Sequence, residues 1–471
     1  MRSSSATLRS IALATLAVLG GVACSDSRPR RIVLITLDTT RADHIGAYGS
    51  PDASTPELDR FASDAVLFER AYSTSSWTLP AHASLFTGLL PCEHGAQATS
   101  SDDTTAAHDR LAYPVRPLSA RFDTLAERLA DAGYRTVGIV GGPALVADLG
   151  VGQGFEHYED SFASPLHRYT GKRASEIADR AIHYLERFRD DRLFLFVNFY
   201  DPHAPYRPPP PFDGNLQPTV EDVTPRLVER IVTGEAPRPV DRLAGPLREG
   251  LHALRAGYRA EVSYMDHHLG RVLRTLASLP GHELTWIVIT SDHGESFGEH
   301  YFVSHSSSLY EPELHVPLLV RGPGWEGGRR IETAVQNHRV FSTLLRSAGL
   351  ATATAPALSL DPGASAIVSE VKRNETTVRL FGDYFDRDLR AIHAWPYKMI
   401  VSTSGDIELF DLDRDPGELD NLASRMPERV RELGDLLGQT VREHGPLFDE
   451  NERAPLSPEA AAALRALGYI D

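Results

Sequence analysis

The segment most informative about the architecture is RIVLITLD, residues 31–38, a short aliphatic and β-branched run that ends at Asp38. Its apolar character is continuous rather than alternating, which predicts a strand buried on both faces of a sheet. Four similar runs follow, at residues 136–140, 193–199, 286–290 and 316–320. The chain therefore contains at least five candidates for central strands.

Helical patterns separate these runs. Apolar residues recur at steps of three and four in residues 56–68, 122–132, 174–188 and, over the longest stretch, 251–276. Such spacing is typical of amphipathic helices that cover a sheet. Strands that alternate with helices predict an α/β fold with a large, mostly parallel sheet flanked by helices. The proline-rich residues 205–218 interrupt the pattern and, together with the stretch to Pro246, are predicted to be an insertion near the carboxyl edge of the sheet.

The last part of the chain has a different pattern. Residues 398–402 and 406–412 flank a Ser-Gly pair, which predicts a hairpin, and helices are predicted at 427–443 and 458–467. An Ala/Thr/Pro-rich stretch, residues 352–364, precedes this part and is predicted to be a linker. We therefore predict a catalytic domain over residues 31–350 and a small C-terminal α+β subdomain over residues 365–471.

Charge and cysteine content exclude several classes of protein. The chain has 48 Lys and Arg against 64 Asp and Glu, a net charge of −16, so we expect no nucleic-acid partner, because such partners require a basic surface. Hydrophobic residues make up 42% and charged residues 24%, which is ordinary for a globular protein. The only cysteines are Cys24 and Cys92, so a disulfide framework is excluded.

The N-terminus is predicted to be a signal peptide, residues 1–23. Two arginines precede an apolar run at residues 11–22, which is too short to span a membrane. GVAC, residues 21–24, resembles a bacterial lipobox with glycine where leucine is usual. We expect lipid attachment at Cys24 and an exported protein, periplasmic or on the outer cell surface, that touches the membrane through this anchor only. Simple secretion with cleavage nearby is the alternative.

Polar residues come directly after three of the apolar runs. Asp38 follows the first run, Asp201 and His203 follow the run at 193–199, and Asp292 and His293 follow the run at 286–290. Ligand sites of open α/β sheets lie outside the carboxyl ends of the strands. One Asp in such a place would usually be a helix cap or a turn residue. Three strand ends that bring Asp and His to one edge predict a metal site.

A fourth candidate segment for the site is SSWTLPAHASLFTG, residues 75–88. Pro80 suits the first turn of a helix and Gly88 suits its end. Thr78 would then lie at the N-terminus of the helix, where backbone N–H groups and the helix dipole favour an anion. The alternative is that Thr78 is simply the residue that caps this helix.

From about residue 31 to the C-terminus, the chain resembles the sulfatase family of the alkaline phosphatase superfamily. The resemblance rests on the number, order and spacing of five motifs, each weak alone: LDTTRAD (37–43), TLPAHASLFTG (78–88), DPHAPY (201–206), SDHGE (291–295) and FDLDRDPGE (410–418). It implies an alkaline-phosphatase-like fold and a metal-dependent hydrolase of sulfate or phosphate esters. The implied substrate is a small-molecule, glycan or lipid ester.

The resemblance implies a metal site and a nucleophile. Asp38, Asp292 and His293 match metal ligands of the family, and Thr78 falls where sulfatases carry a cysteine that is oxidised to formylglycine. Thr78 is then both a metal ligand and the nucleophile. One divalent metal ion is expected. An imidazole ligand favours Mn²⁺ or Zn²⁺, with Ca²⁺ as the alternative, because Ca²⁺ prefers an all-oxygen shell.

Three histidines are implied to take part in catalysis. His203 matches a histidine that contacts the ester and can protonate the leaving oxygen, His305 falls near the place of the family's active-site lysine, and His82 replaces an arginine of the family signature. Imidazole suits acid–base roles near neutral pH. A second metal held by Asp201, His300 and His305 is an alternative, the other being that His300 is a loop residue bonded to backbone.

The departures from the family pattern are informative about mechanism. Position 78 holds neither Cys nor Ser, so formylglycine cannot form there, and Thr39 stands where a second aspartate is usual. These changes point toward relatives with a threonine nucleophile, such as phosphoglycerol transferases and some phosphodiesterases. A transferase that passes the group to an alcohol therefore stays open as an alternative to a hydrolase. So does a non-catalytic binding protein of the same fold.

Overall fold

The computed structural model describes residues 28–99, 115–161, 171–212, 220–350, 360 and 366–448. The predicted signal peptide, the lipobox cysteine Cys24 and the predicted helix at 458–467 lie outside the described residues, as does nearly all of the predicted linker. Within the described ranges, no helix combines the length and the apolar character needed to cross a membrane.

The described residues form seventeen strands and eleven α-helices. The strands are β1 (Arg31–Leu37), β2 (Val66–Phe68), β3 (Ala71–Tyr72), β4 (Arg135–Ile139), β5 (His157–Glu159), β6 (Leu193–Phe199), β7 (Thr285–Thr290), β8 (Ser296–Phe297), β9 (Val303–Ser304), β10 (His315–Val316), β11 (Leu318–Arg321), β12 (Arg330–Ile331), β13 (Val335–Gln336), β14 (Ile367–Val371), β15 (Leu389–Ala394), β16 (Tyr397–Ser402) and β17 (Ile407–Asp411). The helices are α1 (Pro56–Ser63), α2 (Thr78–Thr87), α3 (Pro91–His94), α4 (Leu125–Asp131), α5 (Ala174–Arg187), α6 (Val220–Val232), α7 (Gly245–Ser278), α8 (Glu311–Leu314), α9 (Val340–Ser347), α10 (Glu375–Phe381) and α11 (Pro427–Glu443).

An eight-stranded sheet forms the centre of the molecule, in the order β12-β2-β11-β7-β1-β6-β4-β5. Strand β11 runs antiparallel to both of its neighbours, and all other pairings in this sheet are parallel. Every residue of β1, β6 and β7 is buried, as the continuous apolar runs predicted. The predicted α/β class with a mostly parallel sheet is confirmed.

The two faces of this sheet carry separate cores. Val33, Ile35 and Leu37 of β1 pack with apolar residues of α1, α5 and α7. Ile32 and Leu34 point the other way and pack with α2, α4 and α9. Because successive side chains of a strand alternate between faces, one short strand holds both helical layers in place.

Two predicted elements have different bounds in the structure. The helix predicted over residues 56–68 ends at Ser63, and Val66–Phe68 form β2, which pairs with β11 and β12. The aromatic and β-branched end of that segment is more favourable as a strand between β11 and β12 than as another helical turn. The run at 316–320 is divided between β10 and β11 at Pro317, which has no N–H to donate to a ladder. Helix α6, inside the predicted insertion, was not predicted.

The C-terminal part contains a four-stranded antiparallel sheet in the order β14-β15-β16-β17. Strands β16 and β17 are the predicted hairpin, and α11 covers the sheet with Leu433 and Leu437, at the predicted bounds. The fully buried Lys398 of β16 reaches Glu311 of α8 at 3.0 Å and Glu418 at 2.7 Å, and so joins this sheet to the segment that follows β9. The boundary predicted between residues 350 and 365 stays a prediction.

The packing of α3 against α2 creates a pH-sensitive element away from the sheet edge. His94 is fully buried, its Nδ1 accepts the N–H of Ala96 at 3.0 Å, and its Nε2 lies 3.1 Å from the hydroxyl of Ser84. This arrangement requires the neutral ring. Burial lowers the pKa of His94 to about 3, against 6.5 for an ordinary histidine.

We therefore expect His94 to lower the stability of the folded protein in acid. Between pH 6.5 and pH 3 the unfolded chain binds this proton and the folded chain does not, so the free energy of unfolding falls as pH falls. The contribution of His94 between pH 7 and pH 5 is about 2 kcal/mol. Urea unfolding of wild type and His94→Asn at both pH values measures it, because asparagine does not titrate. The exposed His183→Asn is the control, and an equal pH dependence in wild type and His94→Asn would contradict the assignment.

Candidate active site

The carboxyl ends of β1 and β7 bring the first metal-site candidates together. The two strands are parallel neighbours with Thr36 opposite Thr290, so Asp38 and Asp292 emerge side by side. One ligand atom from each of Asp38, Asp292 and His293 lies within 4.8 Å of the others, and all three residues are buried. Among the described residues, this is the only group of His, Cys, Asp and Glu side chains with that geometry.

Thr78 of α2 lies next to this group. It is the first residue of α2, the cap position is occupied by Trp77, and Thr78 is 1% exposed. Its Oγ1 lies 3.2 Å from Nε2 of His293. The hydroxyl is thus directed at the carboxylate and imidazole group instead of capping its own helix. The first N–H groups of a helix have no partners within the helix.

The polar atoms of the group fit a cation. Among the described residues, no donor reaches Oδ1 of Asp38, Oδ2 of Asp292 or Oγ1 of Thr39, and all three atoms are buried. The ring of His293 donates Nδ1–H to the carbonyl oxygen of Gly294 at 2.9 Å, which leaves the lone pair of Nε2 toward Thr78. Ligating histidines commonly have this second hydrogen bond. Two carboxylate oxygens, an imidazole nitrogen and a hydroxyl suit a divalent metal ion.

The electrostatics of the pair support the same interpretation. Burial, with repulsion from Asp292, raises the pKa of Asp38 well above its usual range. Burial alone would raise the pKa of Asp292, but nearby His293 and His82 outweigh it and lower that pKa. Without a cation, the protein therefore disfavours a negative charge on both buried carboxylates at once. A cation between them removes this conflict.

His82, predicted to be catalytic, lies beneath the group. Its Nδ1 donates to the carbonyl oxygen of Thr78 at 2.9 Å, and its Nε2 lies 3.0 Å from Oγ1 of Thr36. Asn198 donates to Oγ1 of Thr36 at 3.1 Å and to Oδ2 of Asp38 at 3.3 Å. Both nitrogens of His82 are engaged inside the protein, so the geometry gives it the position of a residue that orients Thr78.

Sequence reasoning missed Asn198. The available signal was a single amide inside the apolar run of β6, a strand buried along its whole length. A buried amide in such a place needs hydrogen-bond partners, and these are Thr36 and Asp38 on the neighbouring strand. Asn198 also accepts the N–H of Gly141 at 3.2 Å, where an added Cβ would come within 2.8 Å of Tyr200.

His203 and His305 lie next to His293. The ring centroids of His293 and His305 are 4.5 Å apart, and those of His305 and His203 are 5.0 Å apart. Nδ1 of His203 donates to the carbonyl oxygen of Ala204 at 2.7 Å. Burial, and then the neighbouring His305, lowers the pKa of His203 to about 4. The structure thus brings both histidines to the group formed by Asp38, Thr78, Asp292 and His293.

Glu295 is a second site residue that sequence reasoning missed. It is fully buried, its Oε1 lies 3.0 Å from Nδ1 of His305, and its Oε2 accepts from the hydroxyl of Tyr206 at 3.1 Å. Burial raises the pKa of Glu295 to about 7 and lowers that of His305 to about 4. The available signal was its place in SDHGE, three residues after Asp292.

The alternative of a second metal is not supported. Oδ1 of Asp201 accepts the N–H of Ala174 at 3.0 Å, at the start of α5. His300 donates from Nε2 to the carbonyl oxygen of Gly417 at 3.2 Å and stacks on Tyr310 with ring centroids 3.6 Å apart. His300 is therefore a loop residue bonded to backbone and packed against the C-terminal part.

Comparison with known proteins identifies the family. The Sulfatase family model matches residues 30–350. The uncharacterized sulfatase YidJ of Escherichia coli is 26% identical over 84% of this chain and 83% of its own. The Delta 4,5-hexuronate-2-O-sulfatase of Bacteroides thetaiotaomicron is 23% identical over 87% of each chain. The crystal structure of the phosphonate monoester hydrolase of Agrobacterium radiobacter superposes with a TM-score of 0.67 and 23% identity, over 88% of this chain and 96% of that one. The chain therefore belongs to the sulfatase family, and it is an ester hydrolase with the alkaline-phosphatase-like fold of that family.

Proposed function

We propose that this protein is a metal-dependent hydrolase that forms a covalent ester on Thr78 and prefers phosphate or phosphonate esters over sulfate esters. The observation that carries the proposal is the position of Thr78. Its hydroxyl lies 3.2 Å from Nε2 of His293, at the first residue of α2 and beside two buried carboxylates. A hydroxyl in such a place can act as a nucleophile toward an anionic ester.

In this proposal Asp38, Asp292, His293 and Thr78 hold one divalent cation. When bound, the cation lowers the pKa of the threonine hydroxyl and screens the charge of the ester oxygens. Mn²⁺ and Zn²⁺ accept the mixed set of carboxylate, imidazole and hydroxyl more readily than Ca²⁺, which remains the alternative. Asn198 holds the second oxygen of Asp38 and so fixes the direction of the first.

The first step joins Oγ1 of Thr78 to the central atom of the ester and releases the alcohol. His82 keeps the backbone of Thr78 in place through the 2.9 Å hydrogen bond to its carbonyl oxygen. The first N–H groups of α2 stabilise the oxygens of the transferred group. Water then attacks the central atom, breaks its bond to Oγ1 and restores the threonine.

His305 and Glu295 hold the transferable proton in this proposal, and His203 lies beside them with a neutral ring, because burial lowers its pKa to about 4. The pair formed by His305 and Glu295 is joined across 3.0 Å, and it can hold one proton near neutral pH because burial raises the pKa of Glu295 to about 7. The leaving oxygen takes up a proton from this pair, and the attacking water gives one back to the pair in the second step. Proton transfer of this kind contributes about 10²–10⁴-fold to the rate.

The preference for phosphorus follows from the chemistry of threonine. A formylglycine hydrate has a second hydroxyl, and it releases sulfate by elimination that regenerates the aldehyde. Threonine has no such hydroxyl, so its ester must be opened by attack on the central atom. A phosphate ester of threonine is opened in this way more readily than a sulfate ester. The alkaline-phosphatase-like fold is shared with a protein named as a phosphonate monoester hydrolase.

A panel of 4-nitrophenyl esters tests this function. We expect kcat/KM for a phosphate diester or a phosphonate monoester to exceed that for the sulfate by about 10²-fold or more, with Mn²⁺ or Zn²⁺ required. Fastest turnover of the sulfate would contradict the preference. Addition of glycerol distinguishes the transferase, since a glyceryl ester of the transferred group would then form in place of the free acid that hydrolysis releases. Binding without any turnover would indicate the non-catalytic alternative.

The proposal includes the cell location. The apolar run at residues 11–22 and the lipobox-like residues 21–24 support export with a lipid on Cys24. The substrate would then be an extracytoplasmic ester.

A further inference from the structure

We propose that the alcohol released by this enzyme is a neutral hydrocarbon alcohol about the size of one ring, which binds in an apolar pocket beside His203 and His305. The pocket has a volume of about 210 Å³. This inference rests on the proposed hydrolase activity, because it identifies the leaving group of that reaction. It differs from the sugar substrates that the names of several relatives print.

The pocket adjoins His305, which the proposed function assigns to proton transfer at the leaving oxygen, and the neighbouring His203. His203 and His305 form part of its wall. His305 is also in ring contact with His293, which contacts Thr78. From the nucleophile outward, the groups therefore follow in the order Thr78, His293, His305 and the pocket. A group bonded to the leaving oxygen would extend past the two histidines into this pocket.

The wall is made mostly of hydrocarbon. Leu227 and Ile231 of α6 are buried, as are Phe302 and Phe385, and Phe381 of α10 is half-buried. A 150 Å³ cavity lined by such residues is about large enough for benzene. A pocket of about 210 Å³ thus accommodates one substituted ring.

The polar groups of the wall carry no formal charge. Besides the two histidines they are the hydroxyls and the amide of Thr224, Ser304, Ser306, Ser307, Thr377 and Asn374. Among the described lining residues there is no Lys, Arg, Asp or Glu, so a sugar acid or a second sulfate would find no countercharge. The side chain of Asn374 is already used, since it accepts the N–H of Thr377 at 3.1 Å. A hydrocarbon ring packs on the apolar residues of the wall, whereas a hexose would place some of its hydroxyls against those residues without hydrogen-bond partners.

The loop that carries His305 is held in an uncommon conformation. His300, Tyr301, Ser304 and Ser306 have φ angles of 51°, 67°, 72° and 71°. Residues with a side chain seldom adopt such angles, and they persist where the surrounding structure determines them. Tyr301 and Ser306 also line the pocket. The same rigid loop therefore sets the position of His305 and the shape of the pocket.

Two primary alcohols of matched reactivity test the inference. Cyclohexylmethanol and the 6-hydroxyl of glucose both carry a six-membered ring on a CH₂O group, and they differ chiefly in ring hydroxyls. Each alcohol is esterified with the acid (phosphoric, phosphonic or sulfuric) whose 4-nitrophenyl ester is turned over fastest in the panel. We expect kcat/KM for the cyclohexylmethyl ester to be about 10²-fold higher than that for the glucose 6-ester. A glucose 6-ester that is turned over as well as the cyclohexylmethyl ester would overturn the inference.

Variants of the pocket locate the effect. Val228→Phe on α6 fills the space and should lower kcat/KM for the cyclohexylmethyl ester about 10-fold or more, whereas Phe381→Ala enlarges it and should shift preference toward a naphthylmethyl ester. Glu229→Phe is the matched control, since it adds the same ring at the exposed neighbouring position and should change neither. Equal effects of Val228→Phe and Glu229→Phe, with no change of preference in Phe381→Ala, would overturn the inference.

Binding separates this inference from the proposed function. Saturation-transfer NMR with cyclohexylmethanol reports the pocket without any turnover, and the signal should be lost in Val228→Phe and kept in Glu229→Phe. If no ester is hydrolysed but this pattern holds, the proposed function is wrong and the pocket assignment stands. If esters are hydrolysed but cyclohexylmethanol does not bind, the assignment of the pocket is wrong.

Discussion

Thr78→Ala should lower kcat by about 10⁴-fold or more while the thermal midpoint of unfolding stays within a few degrees of wild type. The reason for the loss of rate is that the hydroxyl forms the covalent bond of the first step. The effect on stability is small because only a hydroxyl and a methyl group are removed, and the hydroxyl is not the cap of α2. Steady-state kinetics with the best ester of the panel, together with calorimetry, measure both quantities.

Two further variants define what the hydroxyl does. Thr78→Ser keeps the nucleophilic oxygen and should retain part of the activity, whereas Thr78→Val keeps the shape without the hydroxyl and should resemble Thr78→Ala. Rapid quenching of wild type should yield a protein heavier by the transferred group, with the added mass on the peptide that contains Thr78. Near-normal kcat in Thr78→Val would mean that water is the nucleophile.

Removal of the metal should destabilise wild type and leave Asp38→Asn nearly unchanged. In the folded protein without a cation, Asp38 and Asp292 are two buried carboxylates, and burial together with their repulsion raises the pKa of Asp38. A cation at a thousand times its Kd would add about 4 kcal/mol to the free energy of unfolding. Asparagine at position 38 removes both the repulsion and a ligand charge, so the metal-free variant should be as stable as metal-free wild type, or more so.

Calorimetry with chelator and with added Mn²⁺ or Zn²⁺ measures this effect, and elemental analysis gives the metal content. The activity of Asp38→Asn should fall by about 10³-fold or more, in line with loss of a metal ligand. Asp52→Asn, an exposed aspartate paired with Arg259, is the control and should keep the full response to metal. Unchanged metal affinity in Asp38→Asn would contradict the assigned site.

Much of the candidate site was predictable, because most of its residues closely follow the ends of strands. Asp38, Asp292 and His293 each follow a buried apolar strand within two or three residues, and the carboxyl edge of a parallel sheet is one place in space. Thr78 was predictable because Pro80 and Gly88 mark the bounds of its helix. In each case a pattern of a few residues fixes where the backbone puts the side chain.

The roles of the surrounding residues depended on contacts between distant segments. His82 matched a catalytic position in sequence, but both of its nitrogens are used by Thr78 and by Thr36, which lies 46 residues away. His300 is near His305 in sequence, yet it packs against Gly417 of the C-terminal part. The spacing of residues along the chain does not predict such contacts.

The sequence by itself determined the α/β class, and it predicted that Asp38, Thr78, Asp292 and His293 lie together as a candidate site at one edge of the sheet. The reason is that strand and helix periodicity and the residues at element ends are local properties of the chain. Only the tertiary structure placed Asn198 and Glu295 in the site and formed the apolar pocket from α6, α10 and the loop around Phe302. These features depend on packing between segments far apart in sequence, where the direction of each buried side chain is set by its neighbours.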